Sequence, residues 1–333
     1  MATLSDQFAV AMTKIEPSEA DKNNAPKAHT DVRAALEADE RLTKWGVSPV
    51  LIGSYKRSVS IRRVYDVDVF CRLQEISGDV GPKDLLDHFV KVLGTAYGSD
   101  RVKRQARSVQ VAFPEFDGLY VDAVPARKRL DGTWEIPQHK PEEGWQQTNP
   151  DEMTALSSVM NDRHSDFYVP TVKLMRQTRR ALIGKAKPGG LLVEMALYQA
   201  CSQDLVLGTN QASYYVTGLE GVAQVVRNLV DFGTQIPDPT IPGNSLTFRA
   251  TGAEWASLRD KITSAATAAR KAHDTDNRCE AAATYRSLLG GNDDHEFVFP
   301  LPEDCNADGT HKRLVAPIVA GDRNVPAGDR RFG

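Results

Sequence analysis

The chain has 333 residues, 41% hydrophobic and 26% charged, which suits one large or two ordinary globular domains. Its net charge of −3 argues against a sequence-independent grip on nucleic acid, though local basic patches stay open. No apolar run reaches the roughly 18 residues of a membrane span, and no secretory leader is legible, so a soluble cytoplasmic protein is expected.

The first predicted element is a helix, with Leu4, Phe8, Met12 and Ile15 at helical spacing and Pro17 ending it. A second helix is expected from Thr30 to Trp45, with Gly46 as its C-cap. Val50, Leu51 and Ile52 start a strand, Gly53-Ser54 turns, and Tyr65 to Phe70 alternates as another strand. Pro82 opens a helix that stops near Gly98. Arg101–Phe113 and Leu119–Val124 read as a hairpin turning at Phe116-Asp117-Gly118. Residues 125–150, with Pro137 and Pro141, read as a loop-rich crossing.

Beyond that crossing the pattern is helical. Asn149-Pro150-Asp151 starts one helix, and Pro170 starts another over Thr171–Ile183, closed by Gly184. Further helices are expected at Leu191–Cys201, Leu219–Phe232, Ala253–His273 and Cys279–Leu288. The order implies an α+β fold: an N-terminal lobe over 1–145, whose first helices are free to pack on both lobes, and a helical lobe over 146–302. A flexible tail is expected over 303–333. The four cysteines (Cys71, Cys201, Cys279, Cys305) are far apart, with no C-x-x-C and no Cys/His cluster. That fits neither a disulfide framework nor a zinc site, and it suits a reducing compartment.

The chemistry concentrates between Gly53 and Phe70. In a strand, side chains at i and i+2 share a face, so Asp66 and Asp68 lie together while Val67 and Val69 bury the other side. Paired carboxylates repel unless a cation sits between them, and hard oxygen ligands suit Mg²⁺ carrying substrate phosphates. The Gly53-Ser54 turn offers amides and a hydroxyl to such phosphates. A two-metal site needs a third acid, and Asp122 in its apolar strand is the candidate. Lys173, Arg176 and Arg180 form a basic stripe at i, i+3, i+7, with no acid between Lys173 and Lys187. Arg57 and the Arg62-Arg63 pair lie between the turn and the acids, while the basic run from Arg101 to Arg107 reads as strand-edge surface. No histidine pairs with Ser or Cys in a recognisable triad.

Gly53-Ser54, Asp66-x-Asp68 and Asp122 together resemble the DNA polymerase beta-type nucleotidyltransferase signature. More narrowly, the chain resembles the bacterial cGAS/DncV-like nucleotidyltransferases (CD-NTases) of anti-phage operons. Trp145, Thr148 and Pro150 resemble a W-x-x-T-x-P run before the family's helical lobe, and Val172–Arg176 its long helix with a basic triphosphate contact. Ala265–Ala272, Thr284–Gly290 and Phe299-Pro300 resemble its closing helices. Two departures stand out: Arg176 occupies the place of the family's lysine, and Gly189-Gly190 that of a Ser/Tyr.

The resemblance implies a two-lobed polymerase beta-like fold with a mixed sheet and a helical lobe of the oligoadenylate synthetase type. It implies two Mg²⁺ ions, with Mn²⁺ as a substitute, held by Asp66, Asp68 and Asp122, and NTP substrates contacted by Gly53, Ser54, Lys173 and Arg176. The implied activity is template-independent synthesis of a cyclic di- or trinucleotide second messenger that acts on a downstream effector. It further implies an E1/E2-like transfer enzyme as a partner at the C-terminal Gly333, and no DNA-sensing zinc insert. Two other readings stay open on the residues alone: nucleotidyl transfer to RNA, protein or a small molecule, and a catalytically silent nucleotide-binding regulator.

Overall fold

The computed structural model describes residues 4–138, 140 and 144–312. Helix α1 (Ser5–Ile15) is followed by α2 (Glu19–Glu37) and a short α3 (Glu40–Lys44). The single helix expected from Thr30 to Trp45 is therefore two, divided at Asp39, whose carboxylate accepts from the Arg41 and Leu42 amides and caps α3. Helix α2 begins eleven residues earlier than expected, on a reciprocal capping box between Ser18 and Asp21, and it carries Pro26 inside it.

Strand β1 (Val47–Ile52) runs into a single helical turn, α4 (Gly53–Lys56), and the chain returns as β2 (Asp66–Leu73). Helix α5 (Pro82–Tyr97), β3 (Val102–Arg104), β4 (Val109–Phe113) and β5 (Leu119–Lys128) follow. Residues 125–150 were expected to be loop, yet they hold β6 (Trp134–Pro137) and β7 (Trp145–Thr148), which pair antiparallel with each other. Tertiary pairing supplies what local polarity hid: β6 adds to the end of β5 through Arg127–Glu135 and Lys128–Trp134. The mixed sheet has order β1-β2-β5-β4-β3, with β2 and β5 parallel at its centre and β6 and β7 beyond.

Helices α6 (Pro150–Arg163), α7 (Tyr168–Ile183), α8 (Gly190–Ser202), α9 (Gln211–Phe232), α10 (Gly252–Asp274) and α11 (Arg278–Leu289) build the second lobe. Two large apolar cores organise the molecule. One face of the sheet, with Val67, Val69, Val111, Val121 and Ala123, packs on α2 and α5 through Val32, Leu36, Phe89 and Leu93. The other core joins α7 to α11 and also takes in α1 and the loop after α4, through Leu4, Phe8, Ile15, Val59 and Ile61. Phe8 packs edge-on against Tyr285 and Phe299, with ring centroids 5.0 and 5.1 Å away. Alternation along β2 therefore leaves Asp66 and Asp68 on the face turned away from α2 and α5.

Cys279 and Cys305, expected as isolated thiols, are joined in a disulfide, with His311 beside Cys279. The chain leaves α11, turns through Gly290 to Pro302 and comes back along the start of the same helix. Cysteines 26 residues apart thus meet in space. Residues 303–312 are tied to α11 in this way, so the free tail expected from 303 does not begin there; Gly333 lies outside the described residues. Among the described residues, no helix is long and apolar enough to cross a membrane.

Candidate active site

The pairing of β2 with β5 decides the geometry of the acids. In the parallel register Asp68 sits beside Asp122, and Asp66 beside Tyr120. Residues paired across a ladder share a face, so the three aspartates expected from the sequence come together on one side of the sheet. Val67, Val121 and Ala123 are wholly buried on the other side and hold that orientation.

The carboxylates feel one another. Burial, then the charges of Asp66 and Asp122, push Asp68 up to about 7, against the opposing pull of the Arg57 and Arg176 guanidiniums. Burial and Asp66 push Asp122 up to about 6, partly offset by a 3.4 Å hydrogen bond from the Ser108 hydroxyl. Tyr120, next to all three, is pushed up to about 12, mainly by burial. This is a concentration of negative charge that the protein's own cations leave largely uncompensated.

The turn before α4 is built around Asp68. Gly53 has φ +77°, and Ile52 pairs with Asp68 across β1 and β2. A Cβ on Gly53 would overlap Oδ2 of Asp68 and lie 2.9 Å from its Cγ, so glycine lets the backbone pass against the carboxylate. No side chain caps the start of α4. The Ser54 hydroxyl lies 3.0 Å from that of Ser60, and the Ser54 carbonyl accepts from the Val59 amide.

The loop from Arg57 to Tyr65 is fastened to the helical lobe. Arg57 donates to both oxygens of Glu194 on α8, at 2.8 and 3.2 Å. The Arg62 amide donates to the Ile15 carbonyl and the Arg63 amide to Asp293. Arg180 reaches Asp293 at 2.6 Å and also the Arg62 carbonyl.

The basic stripe on α7 is divided by the structure. Arg176 lies 3.4 Å from Glu194, and its charge acts on Asp68. Lys173, expected on phosphates together with Arg176, points elsewhere: its buried ammonium donates to both oxygens of Glu16, at 2.6 and 2.7 Å. The Gly189-Gly190 pair, a departure from the family pattern, has a local reason. A Cβ on Gly190 would come within 3.2 Å of the Arg176 guanidinium carbon, so glycine leaves room for the arginine at the start of α8.

Sequence reasoning placed Arg57 only between the turn and the acids, within reach of substrate phosphates, and passed over Glu194 entirely. The signal was present in Leu191-Leu192-Val193-Glu194-Met195-Ala196-Leu197, where one acid interrupts an apolar helix. A lone charge in such a stretch demands a partner, and here it has two.

Known proteins resemble the chain in sequence and in fold. Residues 1–161 match the family described as Second Messenger Oligonucleotide or Dinucleotide Synthetase domain. A cyclic AMP-AMP-AMP synthase of Acinetobacter sp. (strain ATCC 27244 / 9458) is 28% identical over 306 residues, covering 86% of this chain and 84% of that one. Among solved structures, Escherichia coli MS115-1 CdnC with ATP superposes with a TM-score of 0.67 at 17% identity, covering 89% of this chain and 98% of the other. Vibrio cholerae DncV cyclic AMP-GMP synthase, a prokaryotic cGAS homolog, gives 0.61 at 12% identity over 88% and 87%.

Proposed function

We propose that the chain is a cGAS/DncV-like nucleotidyltransferase and that Asp66, Asp68 and Asp122 are its catalytic carboxylates. In this reading it joins nucleoside triphosphates one at a time without a template, releases pyrophosphate, and closes the product into a cyclic di- or trinucleotide. The product would be a second messenger, passed to a separate effector in anti-phage defence. The relative from Acinetobacter is named for such a product.

One observation carries the assignment: Asp68 and Asp122 are register partners on parallel strands, with Asp66 two residues away on the same face. The donor set fits divalent metal, because it consists of hard carboxylate oxygens whose burial, with their mutual repulsion, already drives two of them towards the neutral form. Asp66 and Asp68 would hold two Mg²⁺ ions, with Mn²⁺ as a substitute, and Asp122 would hold the second of them. When bound, the metals supply charge stabilisation at the attacking and leaving oxygens and ease deprotonation of the acceptor hydroxyl.

The remaining roles fall to the chain itself. Gly53 and Ser54 present the first amides of α4 to the triphosphate, at a turn whose donors no side chain has claimed. Arg176 opposes phosphate charge beside Asp68, and a guanidinium can bind such oxygens bidentately. Lys173 would anchor α1 through Glu16 instead of touching substrate. Arg57 holds the turn to the helical lobe and so fixes the distance between acids and α7. The silent-regulator reading is weakened by the complete acidic set, since nothing but catalysis or metal binding offsets its electrostatic cost.

The test is product analysis. The full chain is incubated with labelled NTPs and Mg²⁺ or Mn²⁺, treated with phosphatase, and its products resolved. Phosphatase-resistant cyclic species that vanish in Asp66→Asn and Asp68→Asn support the proposal. Linear tails on RNA, or label transferred to a protein or a small molecule, would replace it with the alternative transferase reading.

A further inference from the structure

Far from the aspartates, Cys279, Asp304, Cys305 and His311 converge at the start of α11, and one ligand atom from each lies within 4.8 Å of all the others. Both cysteines are buried, while Asp304 and His311 reach the surface. The Cys279 sulfur is 3.3 Å from His311 Nδ1, which is 3.5 Å from an Asp304 oxygen; the Cys305 sulfur is 3.9 Å from the other Asp304 oxygen. A tetrahedral zinc with Zn–S about 2.3 Å and Zn–N or Zn–O about 2.0 Å sets its ligand atoms roughly 3.3–3.8 Å apart. The sulfur–nitrogen and nitrogen–oxygen distances of 3.3 and 3.5 Å match that spacing, and the 3.9 Å from the Cys305 sulfur to the other carboxylate oxygen is slightly wider. The two sulfurs, bonded to each other, would have to separate, and Asp304 would have to turn one oxygen to the metal.

We propose that the reduced form of this cluster is a zinc site, with Cys279 and Cys305 as thiolates, His311 through Nδ1 and Asp304 through one carboxylate oxygen. Two thiolates and an imidazole are the ligand chemistry of zinc, not of Mg²⁺ or Ca²⁺. The disulfide and the metal are alternatives at one place. A dithiol reductant gives two electrons and two protons to the S–S bond and itself becomes a cyclic disulfide. Zinc then displaces the two protons from the new thiols and draws in His311 and Asp304.

The surrounding chain is shaped for a clip. Between Cys305 and His311 the backbone closes on itself, the Asn306 amide donating to Thr310 O, the Gly309 amide to Asn306 O and the Lys312 amide to Asp304 O. Asp308 holds that turn by accepting from the Thr310 amide and hydroxyl. Gly309, at φ +83°, passes against the backbone of Glu280 on α11. Arg278 is the nearest cation, 3.5 Å from Asp304, and it would have to yield that carboxylate in part to the metal. In either state residues 304–311 are fastened to α11: covalently in the oxidised state, through zinc in the reduced one.

The experiment uses the full chain carrying Asp66→Asn and Asp68→Asn, so that the catalytic acids do not hold metal. The protein is reduced with excess dithiol, desalted without oxygen, exposed to zinc sulfate, desalted again and assayed for bound zinc and free thiols. The expected result is about one zinc per chain. It should fall at least tenfold after reoxidation, in Cys279→Ser/Cys305→Ser, and in His311→Ala, a surface change that leaves the fold standing. Reduced protein with four thiols, counted after unfolding in denaturant because Cys71 and Cys201 are buried, and less than a tenth of an equivalent of zinc would overturn the proposal. So would zinc that survives in the double serine variant, or a disulfide that the dithiol does not open.

Discussion

Arg57, one residue past α4, and Glu194, in the middle of α8, form a two-point salt bridge with side-chain exposures of only 7% and 1%. It joins the turn that carries Gly53 to the helical lobe, and Arg176 shares the same carboxylate. Burying two charges is costly, so the pair is better understood as a fixture of geometry than as a source of stability. Removing Arg57 leaves the buried Glu194 only its longer contact to Arg176. Arg57→Met is expected to lower unfolding free energy by roughly 3–5 kcal/mol, and Arg57→Met/Glu194→Met by distinctly less. Urea unfolding of both variants checks this, and a double variant as unstable as the sum of the singles would contradict it.

Asp68 makes a prediction with a definite sign. Its folded pKa, about 7, lies above the ordinary value of 3.8. Its contribution to stability is therefore full below about pH 4 and is lost as pH rises through 7. In metal-free protein, Asp68→Asn should be more stable than wild type at pH 8, by up to a few kcal/mol, since one unit of displacement is worth about 1.4 kcal/mol. The gain should shrink steadily towards pH 4. Calorimetry in a chelator measures it, and equal melting temperatures at pH 8 would show that the carboxylates are not coupled as the structure implies. Added Mg²⁺ should raise the wild-type melting temperature at pH 8 and leave that of Asp68→Asn nearly unchanged.

Gly53→Ala tests the close approach of the turn. The added methyl meets Asp68 directly and also forces a side chain into positive φ. A stability loss of roughly 1–3 kcal/mol is expected, with turnover falling by about a hundredfold because a misplaced metal ligand misaligns the reacting atoms. Steady-state kinetics at saturating Mg²⁺ provides the measurement. Near-normal turnover in Gly53→Ala would remove the turn from the site.

The two basic residues on α7 should separate cleanly. Arg176→Met is expected to raise KM for NTPs at least tenfold, since a charge-assisted contact to phosphate is worth about 1.5–3 kcal/mol. Lys173→Met should leave KM within about twofold and instead lower stability, by stranding Glu16 at the end of α1. Parallel kinetics and urea melts decide between them. The opposite pattern, with Lys173 governing KM, would return the lysine to the phosphates.

Much of the site was legible because its information is local. Asp66 and Asp68 share a face by the period of a strand, and Gly53-Ser54 announces its turn by composition. The partnership of Asp68 with Asp122 rests on a register between strands about fifty residues apart, which the sequence suggests only through an acid in an apolar run. Strands β6 and β7 were hidden, because Trp134-Glu135-Ile136-Pro137 is short and ends in proline, Trp145-Gln146-Gln147-Thr148 is short and polar, and both become strands only against β5 and each other. Helix α2 starts before Thr30, running through Asn23-Asn24 and Pro26, residues of low helix propensity, because buried Ala25 and Ala28 let it pack closely. Lys173 was misdirected because a stripe on one helix says nothing about an acid 157 residues away. The cysteine pair failed for the same reason: linear spacing conceals a return of the chain.

The packing of Phe8 against Tyr285 and Phe299 has a consequence for synthesis. The first described helix finds its core partners nearly three hundred residues later, so the second core cannot close until most of the chain has left the ribosome. The sheet, whose strands all lie within residues 47–148, needs no such wait. A nascent chain thus carries its aspartates early, on a finished platform, and sets α7 and α8, with their arginine and glutamate fastenings, into a lobe whose core closes only after α11. Order of emergence itself would keep half-made molecules from handling nucleotides.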